Sequence, residues 1–332
     1  MSCDWGSSAC SISSSTSAAT IAAAAVPTWR YNRTVCTGLG DRLGALLTVA
    51  ALAHVARVEV EMEWCGDPSK VYPQMRSVMP KWTGYSYPLD EFLLAFEIPP
   101  NIRLLPKYSA ADDDDIMPEV SYTGNELLAE DAHDQLYTLA ARTTKIGNHP
   151  ARQEDFVRAY HIVGHQLRYR VSPILRDYLV LHMRGIDANL AGTFRDFKRD
   201  WDPALFCTHK LLNKVLKQGL KVMVIALDLQ WAREQLQVYS SSLLLTFTEG
   251  SAFEDMGLML SATGIIQHAP RGYSSYSSVP AMAKGIPLIS TYKGPYHRLT
   301  ALSQLAALPT EFYTCSSQKA FLSRVVEKLR RI

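Results

Sequence analysis

The second half of this chain predicts an α/β protein built on a parallel, doubly wound sheet, and three observations carry that expectation. Apolar runs at Tyr178–His182, Lys221–Leu227, Thr263–Gln267 and Ile286–Ser290 read as buried strands. Helical patterns fall between them at about 203–217, 229–238, 252–261 and 275–284, and alternation at this spacing is the mark of a parallel sheet. The first of these strands ends in His182, Arg184 and Asp187, which places polar side chains at the carboxyl end of a strand, where open α/β sheets bind ligands.

The first half is read in chain order. Arg33–Cys36 suits a short strand and Thr37–Gly40 a glycine turn. From Asp41 to about Ala56 a helical pattern places Leu43, Leu46, Leu47, Ala50 and Ala51 on one face, with Asp41 as N-cap or first-turn residue. Val58, Val60 and Met62 then alternate with Glu59, Glu61 and Glu63, the period of a strand with one face toward a core. Prolines at 68, 73, 80, 88, 99, 100 and 106 break up the stretch from 64 to 150 into loops and short elements. A helix resumes at Gln153–Arg168, Pro173 marks the crossing into a second domain, and Gln318–Ile332 reads as an amphipathic helix with a basic end.

Composition narrows the function classes. The 332 residues carry a formal charge of +2 and no basic tract interleaved with aromatics, so nucleic acid is not an expected partner. With no run of 18 apolar residues, no membrane span is expected. The six cysteines lack metal spacing and are expected to be mostly reduced. Asp112–Asp115 is a contiguous acidic run of the kind that forms solvated loops, so no metal is assigned. The Ser- and Ala-rich start, residues 1–28, reads as a disordered leader. Without a clear signal or anchor the compartment stays open, with the cytoplasm favoured.

Four segments carry candidate chemistry. Gly38-Leu39-Gly40-Asp41-Arg42-Leu43 sits at a strand-to-helix turn, where glycines let backbone approach a ligand and the helix start favours an anion. Taken alone the turn reads first as a structural element, since the third glycine of the dinucleotide fingerprint is missing. Arg184 offers a planar fork suited to phosphate or carboxylate, with His182 and Asp187 beside it. Asp228 ends the next strand in the same way, to accept from a nucleobase or ribose or to cap the following helix. The run Arg271–Ser278 places hydroxyls and backbone N–H groups at another helix start, a diphosphate geometry or a Ser-rich cap.

Taken in order, three blocks resemble the fucosyltransferase superfamily of GT-B glycosyltransferases, which includes α1,2-, α1,6- and protein O-fucosyltransferases. These are the Gly-Leu-Gly-Asp-Arg-Leu turn with its helix and Val58–Trp64, the His-x-Arg block at 182–187, and the stretch from Phe253-Glu254-Asp255 through Ser274–Ser277 to Gly285-Ile286-Pro287. The resemblance covers roughly residues 33–64 and 178–290. It implies two Rossmann-like domains facing across a cleft, an acceptor-side domain at 29–172 and a donor-binding domain at 173–332. It further implies inverting, metal-independent transfer of L-fucose or a related deoxysugar from a GDP-sugar to a glycan or protein hydroxyl, with no cofactor. Arg184 would bind the donor diphosphate. Asp228, Phe253 and Asp255 would hold the nucleotide, Ser275, Tyr276 and Ser277 the phosphate, and Gly38, Gly40, Arg42 and His182 complete the donor side. Two departures stand out: Gly185 replaces a second arginine, and Gly192 lies where some members place a glutamate. The catalytic base therefore falls to Asp187 or Asp41, with Asp196 behind them. The alternatives are a transferase of this fold with another nucleotide-sugar donor, or an inactive module that binds a nucleotide sugar or glycan.

Overall fold

The computed structural model describes residues 28–31, 38–65, 86–106, 153–171, 177–184, 194–226, 229–269, 274–291 and 312–330. The expected leader, apart from Thr28, and the Arg33–Cys36 strand lie outside these residues, as do Asp112–Asp115. In chain order the elements are β1 (Thr28–Tyr31), α1 (Leu39–Ala56), β2 (Glu59–Trp64), α2 (Leu89–Ala95), β3 (Phe96–Glu97), β4 (Ile102–Pro106), α3 (Gln153–Gln166) and β5 (Arg168–Tyr169). There follow β6 (Tyr178–Met183), α4 (Phe194–Lys217), β7 (Lys221–Ala226), α5 (Leu229–Gln235), β8 (Leu245–Phe247), α6 (Ala252–Ser261), β9 (Gly264–His268), α7 (Ser275–Lys284), β10 (Leu288–Ser290), β11 (Phe312–Thr314) and α8 (Gln318–Leu329). The fold class is α/β with parallel sheets, as the sequence led us to expect.

The larger sheet has six strands in the order β8-β7-β6-β9-β10-β11, every pair parallel. Counted within this half, that is the 3-2-1-4-5-6 order of a doubly wound dinucleotide-binding fold, whose switch point lies between β6 and β9. Its two faces part cleanly by alternation. Tyr178, Val180, Met223, Ile225, Ile265 and Leu288 face α6 and α7, whereas Leu179, Leu181, Val222, Val224, Ile266 and Ile289 face α4, α5 and α8. A smaller parallel sheet, β1-β2-β4, belongs to the first half. In β2 the alternation read from the sequence holds: Val60, Met62 and Trp64 are buried, and Glu61 pairs with exposed Arg103 across the sheet. Strands β3 and β5 form a short antiparallel pair.

α1 is apolar nearly all round and 16 of its residues are buried, the pattern of a helix enclosed on every side. By length and composition it would qualify to cross a membrane, but its burial marks it as a core helix. It is enclosed by α3 and by α7 of the second half, and one continuous apolar core unites α1, β2, α3, α6, α7 and the near face of the six-stranded sheet. Glycines permit this. A Cβ on Gly40 would lie 2.3 Å from the Tyr276 backbone nitrogen, one on Gly164 2.4 Å from the Ala283 carbonyl oxygen, and one on Gly44 3.3 Å from a Val279 methyl.

One expectation needs correction. Cys207 in α4 and Cys315 after β11 form a disulfide spanning 108 residues of sequence, and Cys65 is disulfide-bonded as well. The cysteines of this chain are therefore not mostly reduced thiols. Spacing gave no hint, because the partners meet only once α4 and the end of the sheet are packed together.

Two predictions follow from the packing. Gly40→Ala sets a methyl against backbone that has no rotamer to give and should cost about 3 kcal/mol or more, the upper range of overpacking. Gly44→Ala meets only a side chain and gains helix propensity, so it should stay within about 1 kcal/mol of the parent. Chemical unfolding of the pair measures the difference, and equal midpoints would refute the backbone contact. In non-reducing peptide mapping, Cys207 and Cys315 should elute as one cross-linked pair. Cys207→Ser should lose roughly 2–5 kcal/mol, as for native disulfides elsewhere.

Candidate functional site

The carboxyl ends of β6 and β9 form the switch point, and polar side chains gather there in a single row. In the parallel register His182 of β6 lies beside Gln267 of β9, which lies beside Ser290 of β10. All three are buried. They are linked through α7: Gln267 Nε2 donates to Ser277 Oγ (2.7 Å) and to the Ser274 carbonyl (3.0 Å), Ser290 Oγ donates to Gln267 Oε1 (3.1 Å), and Ser277 Oγ lies 2.9 Å from His182 Nδ1. Burial, with Arg184 and His268 adding to it, pushes His182 down to about 3, so its ring is neutral. His268, one position beyond Gln267, is likewise lowered to about 4 by burial and bonds Thr208 of α4.

Arg184 follows directly on β6, is half-buried, and is anchored by its backbone N–H to the His268 carbonyl at 3.0 Å. Two helix starts meet at the same end of the sheet, next to His182. At α7 the N-cap Ser274 makes no side-chain cap, and at α1 the N-cap Gly38 has no side chain to offer. Because Gly40 rests on the backbone of Ser275 and Tyr276, these two uncapped starts abut. The third nearby start, that of α6, is closed by its own capping box, Ser251 with Glu254. Helix starts without caps leave N–H groups and a partial positive charge for an anion.

The expected site residues divide accordingly. His182, Arg184, Gly38, Gly40, Asp41, Ser275, Tyr276 and Ser277 are brought to this junction. Gly40 spends its missing side chain on the approach to α7, so the contact it makes is with protein. Arg42 points elsewhere: its guanidinium donates to the Cys65 carbonyl, lies over the Tyr87 and Trp64 rings, and is 1% exposed. Tyr276 bonds the Ala252 carbonyl at 2.6 Å, and the Ser277 hydroxyl belongs to the His182 network. Phe253 joins an aromatic cluster with Tyr87, Phe92 and Phe96, fastening α6 to the first half. Asp255, in the first turn of α6, accepts from Thr248 Oγ1 at 2.8 Å. Asp187 and Asp228 lie outside the described residues, and nothing is described of the Asp196 side chain. Among the described residues no group of three metal-ligating side chains occurs. Sequence reasoning passed over Gln267 and Ser290, although the rule that found His182, a polar residue at the end of an apolar strand, applies equally to Gln267-His268.

No family model and no curated protein matches the chain. Solved structures that it resembles include the α-1,6-fucosyltransferase NodZ soaked with GDP-fucose, at 12% identity and a TM-score of 0.39 over 79% of this chain and 94% of that one. They also include the E. coli heptosyltransferase WaaC with ADP (12%, TM-score 0.41, 90% and 99% of the two chains) and the E. coli ADP-heptose LPS heptosyltransferase II (10%, 0.43, 92% and 100%).

Asp255 yields a prediction. Burial raises its carboxyl to about 7, Thr248 opposing the rise and Glu254 adding to it. The folded chain thus keeps a proton that the unfolded chain releases near pH 4, so the stability this group lends is complete below about pH 4 and is lost as pH climbs to about 7. Asp255→Asn keeps the Thr248 bond without the charge. Its unfolding midpoint should therefore gain on the parent between about pH 4 and pH 8; an offset that does not vary with pH would mean the carboxyl is solvated.

Proposed function

We propose that this chain is a glycosyltransferase of the two-domain GT-B type that takes its donor as a nucleoside diphosphate sugar. The observation that carries the reading is the meeting of two uncapped helix starts, α1 and α7, at the switch point, where Arg184 follows the end of β6 two residues beyond His182. A diphosphate is the ligand whose charge and acceptor oxygens suit N–H groups from two helices and a guanidinium fork. Within that reading the three sequence blocks favour GDP and L-fucose or a related deoxysugar, moved to a glycan or protein hydroxyl in a single, inverting, metal-independent displacement. Arg184 and the helix starts would stabilise the negative charge that develops on the departing diphosphate. The acceptor's proton would go to a carboxylate, Asp41 or Asp187. Asp41 lies half-buried in the first turn of α1 at the junction, where a plain helix-dipole role would also place it.

The disulfides bear on the compartment. Paired cysteines persist in oxidising surroundings and are rare in the cytosol, so we infer folding in a secretory or otherwise oxidising compartment, against the cytoplasm favoured from the sequence.

The reading is tested with nucleotides and one substitution. GDP at a hundredfold excess over its dissociation constant should stabilise the protein by about 2.7 kcal/mol, in EDTA as well as without it, and UDP should not. Arg184→Lys should lower turnover with a GDP-sugar by roughly a hundredfold to a thousandfold while the fold survives, since an ammonium lacks the bidentate fork. Stabilisation by GDP with no transfer or donor hydrolysis would leave a binding module. Indifference to every nucleoside diphosphate would end the proposal.

A further inference from the structure

The hydrogen-bond geometry around His182 determines where its single proton sits. The Ser274 carbonyl is only an acceptor, so the side-chain atom of residue 267 that lies 3.0 Å from it must be the amide nitrogen. That choice fixes Gln267: its second N–H goes to Ser277 Oγ, and its oxygen accepts from Ser290. Ser277 therefore receives a hydrogen from Gln267 and has one of its own to give. Two acceptors are near it, His182 Nδ1 at 2.9 Å and the Ser274 carbonyl at 3.4 Å. The carbonyl already takes hydrogens from Gln267 Nε2 and from the backbone of Ser277 and Ser278, which exceeds its two lone pairs. The hydroxyl hydrogen of Ser277 accordingly goes to Nδ1, and a neutral ring that accepts at Nδ1 carries its proton on Nε2.

We propose that Ser290, Gln267 and Ser277 form a relay that fixes His182 as a neutral Nε2–H donor, and that this N–H binds an acceptor oxygen of the donor nucleotide. The claim rests on the donor-site reading above for its ligand, and on the relay alone for its tautomer. It changes three roles. Ser277 becomes a positioning residue whose hydroxyl is used inside the protein, leaving Ser275, of the three residues expected to hold phosphate, as the one whose hydroxyl has no partner among the described residues. Gln267 and Ser290, not foreseen from the sequence, become positioning residues one and two strands away. His182 cannot serve as the base, because its one free lone pair is held by Ser277 and Nε2 already bears a proton. The neutral state agrees with a ring buried between Arg184, His268 and the Tyr276 ring, which offer it no carboxylate.

The test is nitrogen NMR of the full chain labelled with ¹⁵N-histidine, read before and after addition of GDP, with His182 assigned through His182→Gln. The expected wild-type spectrum has a protonated Nε2 and a bare Nδ1 that persist from neutral pH to about pH 5, and GDP should shift the Nε2 signal more than the Nδ1 signal. Gln267→Glu replaces the donor to Ser277 by an acceptor. The Ser277 hydrogen should then turn to residue 267, the His182 proton should move to Nδ1, and GDP should bind about tenfold more weakly. A second variant, Ser277→Ala, should leave a mixture of tautomers with a similar loss, and wild-type Ser277 restores both. A wild-type Nδ1–H or charged ring at neutral pH overturns the relay even if GDP binds. An Nε2–H ring that moves to Nδ1–H in the Glu variant, in a protein to which GDP does not bind, upholds the relay and overturns its ligand and the donor reading together.

Discussion

The backbone contact between Gly40 and the start of α7 is the constraint on which the rest of this structure depends. Helices ordinarily pack with axes about 8–10 Å apart because side chains stand between them. Here α1 lacks a side chain where it crosses Ser275 and Tyr276, and the backbones meet directly. The same thing happens at the other end of α7, where Gly164 of α3 lies on Ala283. α7 is thus gripped at both ends by the first half of the chain. A polar clasp completes the grip: Lys284 Nζ donates to the carbonyls of His165, in the last turn of α3, and of Leu167 just beyond it, and burial lowers this lysine to about 8. The two sheets share one core because of these contacts, and the starts of α1 and α7 abut for the same reason.

Once α7 is held, the row His182–Gln267–Ser290 has a fixed ceiling. Buried polar groups in a sheet this apolar are costly unless each finds a partner. Gln267 finds three, two of them on the first turn of α7, so the polar row and the helix start stabilise one another. A buried network that is satisfied in this way is stiff, and under the proposed function that stiffness would present an arginine and N–H groups in one arrangement before the nucleotide arrives.

The second half of the fold was legible because its strands are short apolar runs with helices of ordinary length between them. The observed β6, β7, α6 and α7 fall within one or two residues of the boundaries read from the sequence. What escaped was short or non-local. β8 and β11 have three residues each, too few for periodicity to register, and β8 lies at an edge with little to bury. The disulfide joins residues that only tertiary packing brings together. At the site, placement at a strand end found Arg184 and His182, whereas the family resemblance also suggested Arg42, Tyr276 and Ser277 as ligand contacts. Their functional groups have partners inside the protein: a carbonyl and two rings for Arg42, the Ala252 carbonyl for Tyr276, and the His182 relay for Ser277. Sequence shows which groups are capable of binding; it does not show which have already been used.

That distinction sharpens the electrostatics of the proposed site. If every polar residue named from the sequence faced the ligand, charge would be spread over many flexible groups. Under the proposal the set that faces the diphosphate is smaller: Arg184, Ser275, two helix starts and the neutral His182. Each helix start contributes roughly half a positive charge and the guanidinium a full one, about the charge a diphosphate ester carries in opposite sign. A neutral His182 adds a donor without adding charge, which matters because a further cation at this point would bind product as tightly as it binds the transition state. Depressing the ring far below its ordinary range is therefore consistent with a site that must release its nucleotide as well as hold it. The relay secures that neutrality by burial and by a bond accepted at Nδ1, with no carboxylate among the described residues acting on the ring to raise it.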